Sequence, residues 1–287
     1  MFGSLLGVLF DGLAYGMLLF LLSVGLSVTL GMMNFVNLAH CSFAMIGGYV
    51  TVTLMNELNW PFFATLPCAF AAAAVASVAL ERTLYRRLYR ASDLDQCLLT
   101  IGIVFVSVAV AAYIYGTVQQ PVQLPSYLRG SFTLMGMTLG VYRLFLIAAG
   151  LALTLVLVAA LEWTRFGAQV RAAVDNQRMA RGLGINVDGV FAVTFALGSG
   201  LAGLGGALAI DVVGLDPAFA FTYLVYVLIV VSVGGLGSIG GSFAAATLLG
   251  ISDMAGKYYF PEIGSFLIYV VMIGILMWRP VGLFGKR

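Results

Sequence analysis

Charge is what this chain has least of. Only 9% of its 287 residues are charged, 62% are hydrophobic, and the mean hydropathy is +1.05. A soluble domain carries about 25% charged residues and is about 45–50% apolar. So much apolar surface cannot be hidden inside a soluble globule of this size, which excludes a soluble enzyme, a nucleic-acid binder and a disordered chain. The net charge of +2 points to no charged partner. Histidine is almost missing: His40 stands alone, so there is no Cys/His cluster and no H-E-x-x-H helix. No catalytic residue and no metal site is expected. Cys41, Cys68 and Cys97 lie in or beside apolar stretches without metal-ligand spacing; they read as buried free thiols and imply no disulfide framework. G-x-S-x-G and G-x-x-x-x-G-K-[ST] are both absent, so the chain does not bind ATP through a P-loop. The Gly285-Lys286 pair belongs to a basic tail. The acids Asp11, Glu57, Glu81, Glu162, Asp211, Asp216, Asp253 and Glu262 fall almost entirely at segment ends. Ionisable groups at mid-membrane depth mark ion or proton relays, and their scarcity argues against a self-coupled proton pump. No basic residue precedes the first apolar stretch, so the start reads as a spanning helix rather than a cleaved signal peptide.

What is present is long uncharged runs: residues 12–56, 58–80, 96–128, 144–161, 189–210 and 217–252. At about 20 residues per crossing they hold roughly eight helices. A β-barrel would alternate apolar and polar residues, and these runs do not. The expected fold is all-α, a polytopic transmembrane bundle of one domain (1–287). Spans are expected near 5–30, 35–56, 62–81, 97–116, 144–162, 189–209, 223–252 and 263–278. The 223–252 stretch is too long for one crossing and reads as two segments joined at Gly234, Gly235, Gly237, Gly240 and Gly241. Residues 117–142 read as a connection with little regular structure.

Sidedness follows the basic residues. Arg82, Arg86, Arg87 and Arg90 form one cluster; Arg165, Arg171, Arg178 and Arg181 form a second; Arg279, Lys286 and Arg287 close the chain. These regions are expected on the cytoplasmic side, C-terminus included. The start is assigned outside, a count that a break at 31–45 would reverse.

Three motifs stand out. In Gly31-Met32-Met33-Asn34-Phe35-Val36-Asn37-Leu38-Ala39-His40-Cys41-Ser42, polar residues gather between apolar stretches. Amides are costly in hydrocarbon unless paired. The segment is therefore either a broken helix lining a pathway, as half-helix ends do in transporters, or a tight interfacial turn. The run Ser232 to Gly241 is a second candidate break, with close packing of small residues as the other reading. Gly198, Ala202 and Gly206 fit close packing on one continuous helix. The third motif is Thr164 to Asn186. Residues 168–181 favour a helix, Gly182 and Gly184 would end it, and Arg171, Asp175 and Arg178 share a face by i, i+4, i+7 spacing. Such a helix would dock on a soluble partner or lie on anionic membrane lipid.

Gly167 to Ile185 resembles the coupling loop of permease subunits from bacterial branched-chain amino acid ABC importers, where G-x-x-x-R-A … N … A … G-I-N recurs. Asn34 to His40 is similar to that family's L-N-L-A-H-G motif, with Cys41 where Gly is usual. Gly234 to Gly241 is similar to its G-G-x-G-S-x-x-G motif. The motifs come in the family's order along nearly the whole chain. The resemblance implies half of a translocation pathway in the inner membrane, completed by a second related permease. It also implies two cytoplasmic ATPase subunits that use ATP and Mg, and a periplasmic substrate-binding protein. Coupling would fall to Gly167, Arg171, Ala172, Asp175, Asn176, Ala180, Gly184 and Ile185 in a loop of about 164–188. The pathway would be lined by Asn34, Asn37, His40 and Ser42, facing Ser232 and Ser238. Permeases for urea or short amides share these motifs. A self-contained channel or secondary transporter, and a membrane anchor for a soluble enzyme, are the readings from other classes.

Overall fold

The structure is a computed structural model and describes residues 2–33, 35, 37–88, 91–134 and 137–285. Its helices are α1 (Phe2–Met33), α2 (His40–Asn56), α3 (Phe62–Leu80), α4 (Arg86–Leu88), α5 (Asp93–Tyr115), α6 (Val141–Trp163), α7 (Arg165–Asp175), α8 (Gln177–Gly182), α9 (Val187–Val213), α10 (Phe219–Gly234), α11 (Ile239–Tyr259) and α12 (Leu267–Trp278). A π-helical turn, Glu81–Tyr85, joins α3 to α4. The chain is thus an all-α polytopic bundle. Among the described residues five helices are long and apolar enough to cross a membrane, or six if the α10–α11 pair, bent by 120°, counts as one. The stretches 35–56 and 263–278 yield shorter helices, 17 residues in α2 and 12 in α12, against about 20 for a full crossing. Residues 117–142 hold little regular structure, as expected, apart from β1 (Ser131–Leu134) and β2 (Met137–Gly140), which pair as an antiparallel hairpin, Ser131 opposite Gly140.

Polar caps set several starts. Ser92 accepts from the Asp95 amide, Asn186 from Gly189 and Ser238 from Gly241. Each satisfies one of the orphan N–H groups at a helix N-terminus.

The bundle is built around α1 and α9, the two most buried spans, while α3, α5 and α6 leave most of their surface uncovered. Small residues allow the close contacts. Gly12 and Gly16 of α1 lie against α11, where a Cβ at Gly12 would stand 2.6 Å from Ile251 Cα and one at Gly16 2.8 Å from Ala246 O. Without a hydrophobic force between helices in lipid, such close approach is a main source of association. Gly198, Ala202 and Gly206 are all buried; Gly198 packs on Gly25 of α1 and Gly206 on Ala44 of α2.

The two ends differ. At one end lie Arg86, the loop between α6 and α9, the α10–α11 break and residues 279–285. Asp188 joins two basic clusters here, pairing with Arg86 at 3.2 Å and Arg181 at 2.8 Å. At the other end Asp11 pairs with Arg143, Asn56 Nδ2 donates to Pro121 O at 3.0 Å, and Gln120 N donates to Leu215 O at 2.8 Å. Trp163 and Trp278 stand exposed toward the first end and Trp60 toward the second, the placement of aromatic belts at two interfaces.

Candidate functional site

The first break doubles back into the bundle. His40 Nε2 lies 3.1 Å from Leu22 O. Leu22 is eleven residues before the end of α1 at Met33, roughly 16 Å by helical rise. Phe35, Asn37, Ala39 and His40 are buried. The described part of the break is thus buried within the protein, where irregular backbone can be accommodated in a membrane. Asn37 Oδ1 accepts from Ala39 N at 3.1 Å and so holds the turn into α2. Among the described residues, Asn37 Nδ2 and His40 Nδ1 are buried without a partner. Ser42 accepts from Ser107 of α5 at 2.8 Å. Asn34 lies outside the described residues.

The second break sits between Gly234 and Ile239. Gly235 and Gly237 have φ of 96° and 78°, a backbone that favours glycine. Any side chain on Gly31 would overlap Gly237 Cα, so the end of α1 rests on the break. The pairing of Ser232 and Ser238 with the first motif is not found: Ser232 is exposed on α10 and Ser238 caps α11. Among the described residues no hydrogen bond joins either to Asn37, His40 or Ser42.

The loop between α6 and α9 is braced from below. Val170, Ala173, Ala180, Val187, Val190 and Phe191 form their own small core, with Phe166 and Ile185 packed against it. Gly167 is buried because α6 comes so close; a Cβ there would overlap the Leu161 carbonyl. Arg171 donates from Nη1 to that same oxygen, satisfying an orphan carbonyl of α6. The expected single helix 168–181 is corrected to two. Asn176 leaves helical geometry at φ −151° and ψ 96°, and its side chain starts α8 by accepting from Met179 N at 3.0 Å. An amide side chain offers the backbone a cap in place of a helical bond. Arg178 therefore does not continue the face of Arg171 and Asp175. Gly184, at φ 83°, turns the chain toward α9. Of the eight expected coupling residues, Gly167 and Ala180 are buried and Ala172 and Ile185 half-buried, while Arg171, Asp175, Asn176 and Gly184 are exposed. The exposed apolar side chains of the loop are Val174, Met179 and Leu183. The last two were not legible as an outer face until the break at Asn176 fixed which way α8 turns.

These pieces meet. A cavity of about 740 Å³ is lined by Gly31, Arg171, Asp175, Leu236, Ser238 and Phe284, among others. One wall is α7 and the other is the glycine break.

Asp253 corrects the expectation that acids stay at segment ends. It lies well inside α11, is 0% exposed, and accepts from Lys257 Nζ at 2.6 Å. Its Oδ1 has no partner among the described residues. Lys257, one turn on, lies 5.6 Å over the Tyr15 ring and keeps its head partly in the open, as snorkelling lysines do. The sequence signal was available: an Asp–Lys pair at i, i+4 inside an apolar helix.

A buried bundle with two helix breaks, one of them resting on the end of α1, flanked by a braced and outwardly exposed helical loop, is the anatomy of a multi-pass membrane permease. The family to which the chain belongs is of the same class. Residues 8–276 match the family model described as branched-chain amino acid transport system / permease component, and the chain belongs to that family. It is 25% identical to the high-affinity branched-chain amino acid transport system permease protein BraD of Pseudomonas aeruginosa, over 97% of this chain and 95% of that one. It is 27% identical to LivH of Escherichia coli K12, over 97% and 94%, and 26% identical to the probable LivH of Methanocaldococcus jannaschii, over 97% and 92%. No solved structure matches. The family is a transport permease component, not a catalytic enzyme.

Proposed function

We propose that the chain is the permease subunit of an ATP-driven importer for branched-chain amino acids. It forms half of the translocation pathway in the inner membrane, and a second homologous permease forms the other half. Substrate arrives on a periplasmic binding protein. Two cytoplasmic ATPase subunits bind and hydrolyse ATP with Mg; this chain holds neither. The observation that carries the reading is the loop between α6 and α9. Its inner face is fastened to α9 by Val170, Ala173 and Ala180 and to α6 by Gly167 and Arg171 at the Leu161 carbonyl, and its outer face presents Asp175, Met179 and Leu183. A helix pair so braced moves as one body with the spans it joins. An ATPase cleft closing on it would therefore tilt α6 and α9.

The end bearing this loop holds Arg86, Arg171 and Arg181 and is assigned to the cytoplasm, with residues 279–285 beside it. Asp11 and the start of α1 then face outside. Asn37, His40 and Ser42 are proposed for the pathway. Asn37 and His40 each keep an unpaired buried nitrogen that a passing zwitterion could use.

The test is affinity purification of the tagged chain from its native membrane, followed by reconstitution and uptake of labelled leucine, isoleucine and valine. Co-purification of a second permease and P-loop ATPases, with ATP-dependent uptake, is expected. Uptake of urea or acetamide in place of leucine would replace the substrate assignment. Passive flux through the chain alone would overturn the importer reading.

A further inference from the structure

The segment that follows α12 makes contacts that ordinary helix termination does not require. Helix α10 ends at the glycine break, and its last carbonyls need donors from elsewhere. Leu283 N donates to Val233 O at 2.8 Å and Phe284 N donates to Gly234 O at 3.1 Å. Residues from the far side of α11 and α12 thus close the end of α10. Their path is tightly set. Gly282 has φ 82°, and a Cβ there would stand 2.6 Å from Ser232 O and 2.7 Å from Gly235 N. Gly282 N donates to Arg279 O, and Arg279 Nη1 donates to Leu283 O, both at 3.0 Å. Phe284 then extends into the cavity whose opposite wall is α7, and stays 58% exposed there.

We propose that residues 279–285 are a relay strap that makes the α10–α11 break follow α7. The inference rests on the coupling role given above to the α6–α9 loop. The strap is bonded to α10, and the break it closes rests on Gly31 at the end of α1. These three elements form one body on one side of the cavity. Helix α7 forms the other side. α7 already touches the end of α1, but between α7 and Phe284 lies an open cavity of about 740 Å³, room for α7 to advance on Phe284. Closure of the ATPases would drive α7 across that space. Phe284 is then the surface that receives the push, and Leu283 and Phe284 pass it to the break through their backbone bonds. Phe284 acts as a positioning residue; it touches no substrate in this scheme.

The experiment uses the complete reconstituted complex and measures leucine uptake and ATP hydrolysis together. Phe284→Ala removes the receiving surface without touching a buried group. Leu283→Pro removes the amide that donates to Val233 O. Both are expected to cut leucine moved per ATP hydrolysed at least tenfold, with hydrolysis continuing and the amount of assembled complex unchanged. Phe284→Met, which keeps bulk and apolarity, is expected to restore most of the ratio. An unchanged ratio in Phe284→Ala would overturn the strap. So would loss of uptake only in step with loss of assembly, since that is a purely structural role. Failure of the parent chain to capture ATPases would instead sink the importer reading, leaving the two outcomes distinct.

Discussion

Gly16→Ala is a one-carbon test of the α1–α11 contact. The added Cβ would stand 2.8 Å from Ala246 O, 3.0 Å from Thr247 Cα and 3.3 Å from Ala246 C. All three are backbone atoms, which no rotamer change can move aside. Ordinary contact lies at about 3.5–4.0 Å, so α1 and α11 must part by roughly half an ångström or more. Overpacking of this kind costs about 1–3 kcal/mol. Opposing it, Ala is preferred over Gly in a helix by about 0.8–1.0 kcal/mol. Gly102→Ala on α5 isolates that second effect, because a Cβ there meets nothing within 4 Å. Gly102→Ala should therefore raise stability slightly, and Gly16→Ala should fall below it by about 1–3 kcal/mol, a five- to hundredfold shift in the folding equilibrium. Reversible unfolding in mixed micelles, run on both variants side by side, measures the difference directly. Equal stability of the two would refute the argument that glycine at position 16 is required by backbone approach.

Three further outcomes follow from the same geometry. Lys257→Met should destabilise the chain by about 1–3 kcal/mol, below the 3–5 of a fully buried pair because Lys257 is 43% exposed, and Asp253→Leu/Lys257→Leu should recover most of it; micelle unfolding of single and double variants decides. Gly167→Val should push α7 off the Leu161 carbonyl and lower ATPase capture severalfold while membrane insertion stays normal, as read by pull-down against total chain. Asp188→Asn should change stability by less than about 1 kcal/mol, since its partners Arg86 and Arg181 are exposed; a larger loss would mean that Asp188 does more than pair surface charge.

Much of the fold was legible because lipid leaves the chain few options. Uninterrupted apolar runs become helices, and Gly235 and Gly237 interrupt one, whereas Gly240 and Gly241, read as part of the same break, lie inside α11. The run at Gly198, Ala202 and Gly206 also read correctly as a packing face, with Gly198 against α1 and Gly206 against α2. The misses have a common cause: they depend on which way a side chain points. Asn176 was counted as a helix residue, yet its amide caps α8 and cuts the helix. Asp253 was read by its place near the end of an uncharged run, whereas its burial is decided by packing against α1 and by Lys257. For the first motif the sequence pointed to polar residues between apolar stretches but not to the depth at which His40 lies, which only its contact with Leu22 reveals. The hairpin at Ser131–Gly140 carries no long alternating pattern, so nothing marked it.

The pairing of α1 with α11 also has a consequence in time. Gly12 and Ile251 touch in the finished protein, but roughly 240 residues of synthesis separate them, which at about 5–20 residues per second is on the order of 10–50 s. For that interval α1 lies in the bilayer with its glycine face bare. Any other small-residue face nearby, including that of a partner subunit made at the same time, competes for it. The α1–α11 contact can therefore form only after nearly the whole chain has been made.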